Sequence, residues 1–159
     1  MGYTTEFFGS VEVVPPLNAA EIEYLRKFSE SRRMNRTRGR YYAEPGNNFG
    51  QDHTPDVLDY NRPPPGQPGL WCHWVPTEDG REIEWDGGEK FYDAAAWMQY
   101  IINHFLKPGC FAKCALPFLQ ANHVVNGNIE AHGEDHDDQW LLRVINNKVT
   151  THAGRTVYV

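Results

Sequence analysis

Two segments of the chain carry hydrophobic residues at the spacing of an amphipathic helix. In the first, apolar residues recur at positions 22, 25 and 28 with charged residues between them, which places the apolar side chains on one face. Asn18 precedes this pattern and Glu21 follows it by three positions, the spacing of a capping box. We therefore predict a first helix over Ala19–Met34.

The second helical segment is more regular. Apolar residues occupy positions 91, 94, 95, 98, 101, 102, 105 and 106, which follows the i, i+3, i+4, i+7 pattern of one helix face. Lys107 suits the negative end of the helix dipole, and Pro108-Gly109 ends the helix. The pattern predicts a second helix over Phe91–Leu106.

Shorter runs rich in aromatic and β-branched residues predict strands. The first is Thr4–Val14, which ends at Pro15-Pro16 because proline cannot donate to a strand ladder. Leu70–Val75 is predicted as a second strand, and the turn at Thr77–Gly80 leads to a return strand around positions 83 and 85. These two strands predict a hairpin.

The last third of the chain predicts a series of short antiparallel strands. Asn126-Gly127 is a strong hairpin signal between residues 123–125 and 128–131. Two further strands are predicted at Trp140–Ile145 and Lys148–Thr151, and Asn146-Asn147 forms the turn between them.

The element order β-α-β-β-α-β-β-β predicts an α+β fold. We expect a mostly antiparallel sheet of about five to six strands with two helices packed on one face. The 159 residues have room for a single domain, residues 1–159. Asn35–Gly69 has no sustained period and is expected to form a long irregular loop.

Composition narrows the class of protein. There are 21 acidic and 15 basic residues, a net charge of −6, which argues against a protein that coats nucleic acid. We expect neither a membrane span, which needs about 18 apolar residues, nor a signal peptide. Three cysteines, an odd number, favour reduced thiols. The sequence predicts a cytoplasmic protein with no membrane partner.

Charge is distributed unevenly along the chain. Between Arg26 and Arg40 there are seven bases and one acid, a net charge of +6, so the remainder carries −12. Arginine binds phosphates and carboxylates through a planar pair of donors, and the two tyrosines that follow can stack on a base. The candidate partner-binding residues are Arg26, Arg32, Arg33, Arg36, Arg38, Arg40, Tyr41 and Tyr42.

Three interpretations of this arginine-rich segment stay open. The cations can simply cover the end of the first helix and the solvated loop after it. They can bind an acidic protein or a second copy of the chain. They can also bind nucleic acid through residues 26–42.

A second candidate site is the acidic turn near the C-terminus. His132, Glu134, His136 and Asp138 offer carboxylates and imidazoles that can bind a metal ion. The spacing differs from an EF-hand because Gly133 precedes the acids, and a charged turn between two strands is the alternative. A weaker hypothesis is a zinc site formed by Cys72, Cys110, Cys114 and His104. The alternative is that the thiols are buried and bind no metal. No cofactor is predicted.

No pattern in the sequence predicts a catalytic nucleophile. Cys72 and His73 are adjacent and would point to opposite faces of a strand, and no serine lies in a nucleophile elbow. Gly87-Gly88 is too short for a phosphate-binding loop. The five tryptophans are expected mainly in the core, with Trp97 and Tyr100 as candidates for an exposed partner patch.

Several motifs resemble those of one family. They lie at Leu17–Met34, Gly50–Asp52, Asp59–Asn61, Gln67–Cys72, Trp74–Gly80, Trp85–Tyr92 and Gly133–Asp138. Together, over most of the chain, they resemble small uncharacterised proteins of actinobacteria and their bacteriophages. The resemblance brings no established activity, cofactor or catalytic residue. It implies an accessory protein of the bacterial cytoplasm. If such a protein is encoded by a phage, its expected role is host modulation or counter-defence.

The sequence as a whole predicts a non-enzymatic binding protein. Its partner would be a host macromolecule that binds the arginine-rich segment and the loop up to Gly69. A metal-dependent hydrolase that uses the acidic turn is one alternative, and a nucleic-acid-binding module is the other.

Overall fold

The computed structural model describes residues 3–43 and 57–153 of the chain. The elements in these two ranges are β1 (Glu6–Val14), α1 (Ala19–Glu30), β2 (Asn35–Arg36), β3 (Val57–Asp59), β4 (Trp74–Pro76), β5 (Glu82–Trp85), α2 (Ala94–Ile101), a π-helical turn (Ile102–Leu106), β6 (Val124–His132), β7 (Gln139–Ile145) and β8 (Lys148–Ala153). The predicted α+β class is confirmed.

Six of the described strands form one antiparallel sheet in the order β4-β5-β1-β6-β7-β8. β1 pairs with β6 along its full length, from Glu6 opposite His132 to Val14 opposite Val124, and with β5 on its other side. The short strands β2 and β3 pair with each other inside the segment that was expected to be irregular. Residues 44–56 of that segment lie outside the described ranges.

The core lies between one face of the sheet and the two helices. Inward side chains such as Val11 of β1 and Ile129 of β6 are buried, whereas their neighbours along each strand are mostly exposed. Trp74 of β4 joins both helices to this face, because its carbonyl accepts from Ser29 of α1 at 2.7 Å and its indole donates to the Ala94 carbonyl at 2.8 Å. No helix in the described ranges is long and apolar enough to cross a membrane.

The first helix begins where the capping box predicts and ends at Glu30, before the predicted end at Met34. The Asn18 side chain accepts from the Glu21 amide at 2.7 Å, and the Glu21 carboxylate accepts from the Asn18 amide at 2.9 Å. At the other end Ser31 is extended and its hydroxyl donates to the Lys27 carbonyl at 3.0 Å. The chain leaves the helix there because the Arg33 amide bonds to the Leu70 carbonyl instead, at 2.7 Å.

The second helix is shorter than predicted at its start and changes form at its end. Asp93 has a left-handed backbone (φ 59°) and is the N-cap, so the first α-helical hydrogen bond is the one that its carbonyl accepts from the Trp97 amide at 2.9 Å. Phe91 still joins the core, with its ring 5.1 Å from that of Trp74. At the far end the Lys107 amide bonds to the Ile102 carbonyl at 3.0 Å, the wider spacing of a π-helix.

The predicted hairpin at Asn126-Gly127 is wrong. Both residues lie inside β6, with Gly127 opposite Val11 of β1. A Cβ on Gly127 would lie 2.8 Å from the Val11 Cα, so glycine serves the close approach of two strands rather than a turn. The predicted turn at Asn146-Asn147 is correct, and both residues have positive φ (48° and 72°).

Candidate ligand-binding cleft

A cleft of about 550 Å³ opens beside the start of α2. Two segments form it: the residues just before β4, and the loop that connects β5 to α2. The lining residues are Gly69, Leu70, Trp71, His73, Glu89, Lys90, Tyr92, Asp93 and Trp97. Aromatic and aliphatic side chains form the walls, and four charged or titratable side chains lie among them. This combination is typical of small-molecule sites.

The aromatic walls differ in how firmly they are held. Trp97 is fully buried, and its ring packs edge-on against Phe28 and Tyr100 at 6.0 and 5.4 Å. Within the described residues Trp71 and Tyr92 contact no other aromatic ring, and Tyr92 is 55% exposed. The cleft therefore has one fully buried aromatic wall, Trp97, and two less enclosed rings, the half-buried Trp71 and the exposed Tyr92.

A histidine held by an aspartate lies at the polar side of the cleft. His73 Nδ1 is 3.0 Å from Asp86 Oδ1, and the Asp86 amide donates to the His73 carbonyl at 2.9 Å. In a neutral imidazole Nδ1–H donates to the carboxylate, which leaves Nε2 as an acceptor. Nε2 makes no hydrogen bond within the described residues. The Asp86 carboxylate therefore fixes the His73 ring at one nitrogen, at the lining of the cleft.

The loop between β5 and α2 fixes this geometry. The Gly88 amide donates to Asp86 Oδ1 at 2.7 Å, and a Cβ on Gly88 would lie 2.3 Å from His73 Nδ1. Only glycine therefore leaves room for the imidazole. Lys90 and Asp93, which both line the cleft, have left-handed backbones with φ 59°. Such strain costs on the order of 1–3 kcal/mol per residue and is concentrated at functional sites.

The sequence patterns did not single out this cleft. The sequence draws attention to His73 only as a possible base for the adjacent Cys72. Its actual partner, Asp86, lies on the other side of the hairpin. Trp74 is paired with Trp85 in the β4–β5 register, so the next residues outward, His73 and Asp86, face each other. The hairpin predicted from the sequence could therefore have shown that His73 and Asp86 are neighbours. Cys72 is fully buried, and burial raises the pKa of its thiol to about 12.

The arginine-rich segment does not form one surface. Arg33 is 2% exposed, with its guanidinium 4.3 Å above the Phe28 ring and one nitrogen bonded to the Tyr42 carbonyl. Burial lowers the pKa of Arg33 to about 10, and its Nε and Nη1 have no hydrogen-bond partner among the described residues. Arg36 is buried as well. These two side chains lie in the interior and are not available to a partner in this conformation.

The other arginines of the segment are at least partly exposed and also contact the chain itself. Arg26 donates to the Pro76 carbonyl at 3.0 Å. Arg32 donates to the Tyr60 carbonyl at 3.0 Å and lies 4.2 Å above the Tyr60 ring. Arg38 is exposed and donates to the Tyr42 hydroxyl at 3.0 Å. The guanidinium groups are thus held by carbonyls and ring faces along the loop.

Tyr41 and Arg40 pack against the end of the second helix. The Tyr41 hydroxyl lies 2.5 Å from His104 Nδ1. Burial, with Arg40 and Lys107 nearby, lowers the pKa of His104 to about 4, while burial raises the pKa of Tyr41 to about 12. Tyr41 therefore donates to a neutral imidazole, and this hydroxyl is already used within the fold.

The acidic turn is bonded to the N-terminal residues. The Tyr3 hydroxyl donates to Asp138 at 2.6 Å, and the Thr4 amide donates to Glu134 at 2.5 Å. His132 packs its ring edge-on against Phe8 at 5.0 Å. In the part of the chain that the structure describes, no three histidine, cysteine, aspartate or glutamate side chains are placed to hold a metal ion.

The aromatic residues are divided between core and surface. Trp74 and Trp97 are buried, as expected for core residues. The expectation that Trp97 and Tyr100 form an exposed patch is wrong, because both are covered by the helix–helix packing around Phe28. The cleft instead presents Trp71 and Tyr92.

Comparison of the chain with protein families, with curated proteins and with solved structures finds no match. A function can therefore be inferred only from the geometry of the chain itself, and the cleft is the candidate site.

Proposed function

We propose that this protein binds a small planar organic molecule in the cleft beside α2. The ligand carries a hydrogen-bond donor or a positive charge that meets His73. The observation that carries the proposal is the His73–Asp86 pair, 3.0 Å apart, at the edge of an aromatic-walled cleft of about 550 Å³. Ligand sites commonly have volumes of about 300–1,000 Å³ and a few fixed polar groups.

The charges at the cleft favour a donor-rich ligand over an anion. Glu89 and Asp93 are carboxylates, His73 Nε2 is an acceptor, and Lys90 is the cation among the lining residues. Ring faces of Trp71 and Tyr92 attract planar groups and organic cations. An aromatic amine or a nitrogen heterocycle combines both properties.

The proposal keeps the non-enzymatic binding role that the sequence predicts and places the binding site elsewhere. Cys72, the thiol nearest to His73 in sequence, is fully buried and has a raised pKa. Such a thiol is a poor nucleophile. The described cleft therefore supports recognition better than nucleophilic catalysis.

The experiment is a ligand screen monitored by two-dimensional NMR of the tryptophan indole groups. Planar aromatic amines and matched aromatic carboxylates are titrated into the wild-type protein and into Trp71→Ala. We expect the amines to shift the indole signals of Trp71 and Trp97 saturably in the wild type. The Trp97 signal, which both proteins keep, should report an affinity about fivefold lower in Trp71→Ala, since a good aromatic contact contributes roughly 1 kcal/mol.

The control is Phe8→Ala, which removes an exposed aromatic ring from the opposite face of the sheet. Its affinity for the amines should equal that of the wild type. Equal binding by Trp71→Ala, or preferential binding of the carboxylates, would contradict the proposal.

A further inference from the structure

A second cavity, of about 380 Å³, lies at the other end of the second helix. The π-helical turn and the turn between β7 and β8 meet there. The residues that form the walls include Gln99, Asn103, Lys107, Asn146, Asn147 and Lys148. They are two lysines and four amides, and no acidic side chain is among the described residues that line the cavity. Lining of this kind is unusual in a chain with a net charge of −6.

The π-helical turn places two of these side chains together. Asn103 lies inside the turn, and Lys107 follows it four positions later, with its amide bonded to the Ile102 carbonyl at 3.0 Å. Both residues line the cavity, and the Lys107 ammonium lies 5.5 Å from the centre of the Phe111 ring. Single π-helical turns occur frequently at functional sites.

A chain of hydrogen bonds sets the orientation of the Asn103 amide. The Val149 backbone amide can only donate, and it donates to Gln99 Oε1 at 2.8 Å. Gln99 Nε2 is therefore the donor, and it donates to Asn103 Oδ1 at 3.0 Å and to the Asn147 carbonyl at 2.9 Å. This leaves the NH₂ group of Asn103 as a donor that makes no hydrogen bond within the described residues.

The β7–β8 turn is held just as firmly. Asn147 Oδ1 accepts from the Val125 amide at 2.7 Å, and its NH₂ group donates to the His123 carbonyl at 3.0 Å. The Asn146 amide donates to Asn126 Oδ1 at 2.8 Å. The next residue, Lys148, is exposed at the rim of the cavity. The turn that forms this side of the cavity is thus held in place by hydrogen bonds to β6 and to the residue before it.

We propose that this cavity binds the phosphate group of a small phosphorylated molecule. Lys107 and Lys148 supply positive charge, and the Asn103 NH₂ group donates a hydrogen bond to a phosphate oxygen. Two cations are too few for a protein surface that binds nucleic acid, since such a surface can contact about six to ten phosphates. The volume of the cavity exceeds what one phosphate needs, so a phosphate monoester fits it better than the free ion.

The test is an NMR titration of the side-chain amides at constant ionic strength. Inorganic phosphate and phenyl phosphate are added separately to the wild-type protein and to the double variant Lys107→Gln, Lys148→Gln. We expect both compounds to shift the Asn103 NH₂ signal saturably, with the ester binding more tightly. The double variant should lose at least tenfold in affinity.

Lys27→Gln is the matched control, because it removes a lysine charge on α1, where Lys27 pairs with Glu23 at 2.8 Å. This variant should bind both compounds as the wild type does. An Asn103 signal that does not respond, or equal affinity in the double variant, would overturn the proposal. Binding of an oligonucleotide without binding of the monoester would also overturn it.

Discussion

Glu21 and His123 form an ion pair in the interior of the protein. Both side chains are fully buried, and His123 Nε2 lies 3.0 Å from Glu21 Oε2. Burial raises the pKa of Glu21, but hydrogen bonds from His123 and from the amides of Asn18 and Gln120 outweigh it, so the pKa is lowered. Burial lowers the pKa of His123, but Glu21 and the Pro15 carbonyl outweigh it, so that pKa is raised. Both residues are therefore charged when folded.

This pair predicts a particular dependence of stability on pH. The contribution of His123 is complete below the ordinary histidine pKa of 6.5 and is lost as the pH rises through the raised value. The contribution of Glu21 is complete above its ordinary pKa of 4.5 and is lost as the pH falls through the lowered value. The pair therefore stabilises the fold most between pH 4.5 and pH 6.5.

Denaturant unfolding of the wild type and of His123→Gln between pH 4 and pH 9 measures this effect. The difference in the free energy of unfolding should be largest near pH 5–6 and should shrink as the solution becomes alkaline. Other groups, such as His104, titrate in both proteins and largely cancel in the difference. A difference that grows with pH would contradict the assignment of a charged pair.

At the scale of single elements, β1 and β6 are the pair on which the sheet is built. They are paired over nine residues, and their closest approach is at Gly127. We expect Gly127→Ala to lower the free energy of unfolding by about 3 kcal/mol, because the new methyl group meets the Val11 backbone at 2.8 Å. Thermal or denaturant unfolding measures the loss.

Gly109→Ala is the matched control for this substitution. Gly127 and Gly109 both have positive φ, 150° and 73°, but at Gly109 no atom of the described residues lies within 4 Å of the position that an added methyl group would occupy. Gly109→Ala should lower the free energy of unfolding by only about 1 kcal/mol, which is the cost of left-handed backbone strain. Equal losses in the two variants would mean that backbone conformation, rather than strand contact, determines the effect at Gly127.

At the scale of the whole molecule, acidic side chains are concentrated on the outer face of the sheet. The outer face of the sheet carries exposed glutamates on three neighbouring strands: Glu6, Glu12, Glu82, Glu84 and Glu130. The arginine-rich segment follows α1, which packs on the opposite face. A macromolecular partner for this segment stays a prediction. Because Arg33 and Arg36 are buried, a test of this prediction must substitute the exposed and half-exposed arginines.

The prediction concerns capture of an anionic partner from a bacterial lysate. Arg32→Glu with Arg38→Glu should reduce capture at least tenfold and leave the fold intact, and capture should weaken as salt is raised. The control is Arg81→Glu with Arg143→Glu, which makes the same change in net charge on other surfaces. Unchanged capture by the first pair would contradict a partner at this segment.

The sequence by itself determined the elements whose signals are local. The capping box at Asn18, the periodic apolar pattern of the second helix and the turn at Asn146-Asn147 each depend on residues within a few positions of one another. Such interactions form in the same way wherever the segment lies. The α+β class followed from their order.

The tertiary structure decided what depends on distant residues. It made Asn126-Gly127 part of a strand because β1 and β7 lie on both sides of it, and it buried Arg33 against Phe28. It also brought His73 to Asp86, and Lys107 to Lys148, from separate segments. Local propensity cannot encode these contacts, because the free energy that fixes them comes from packing between segments far apart in the chain.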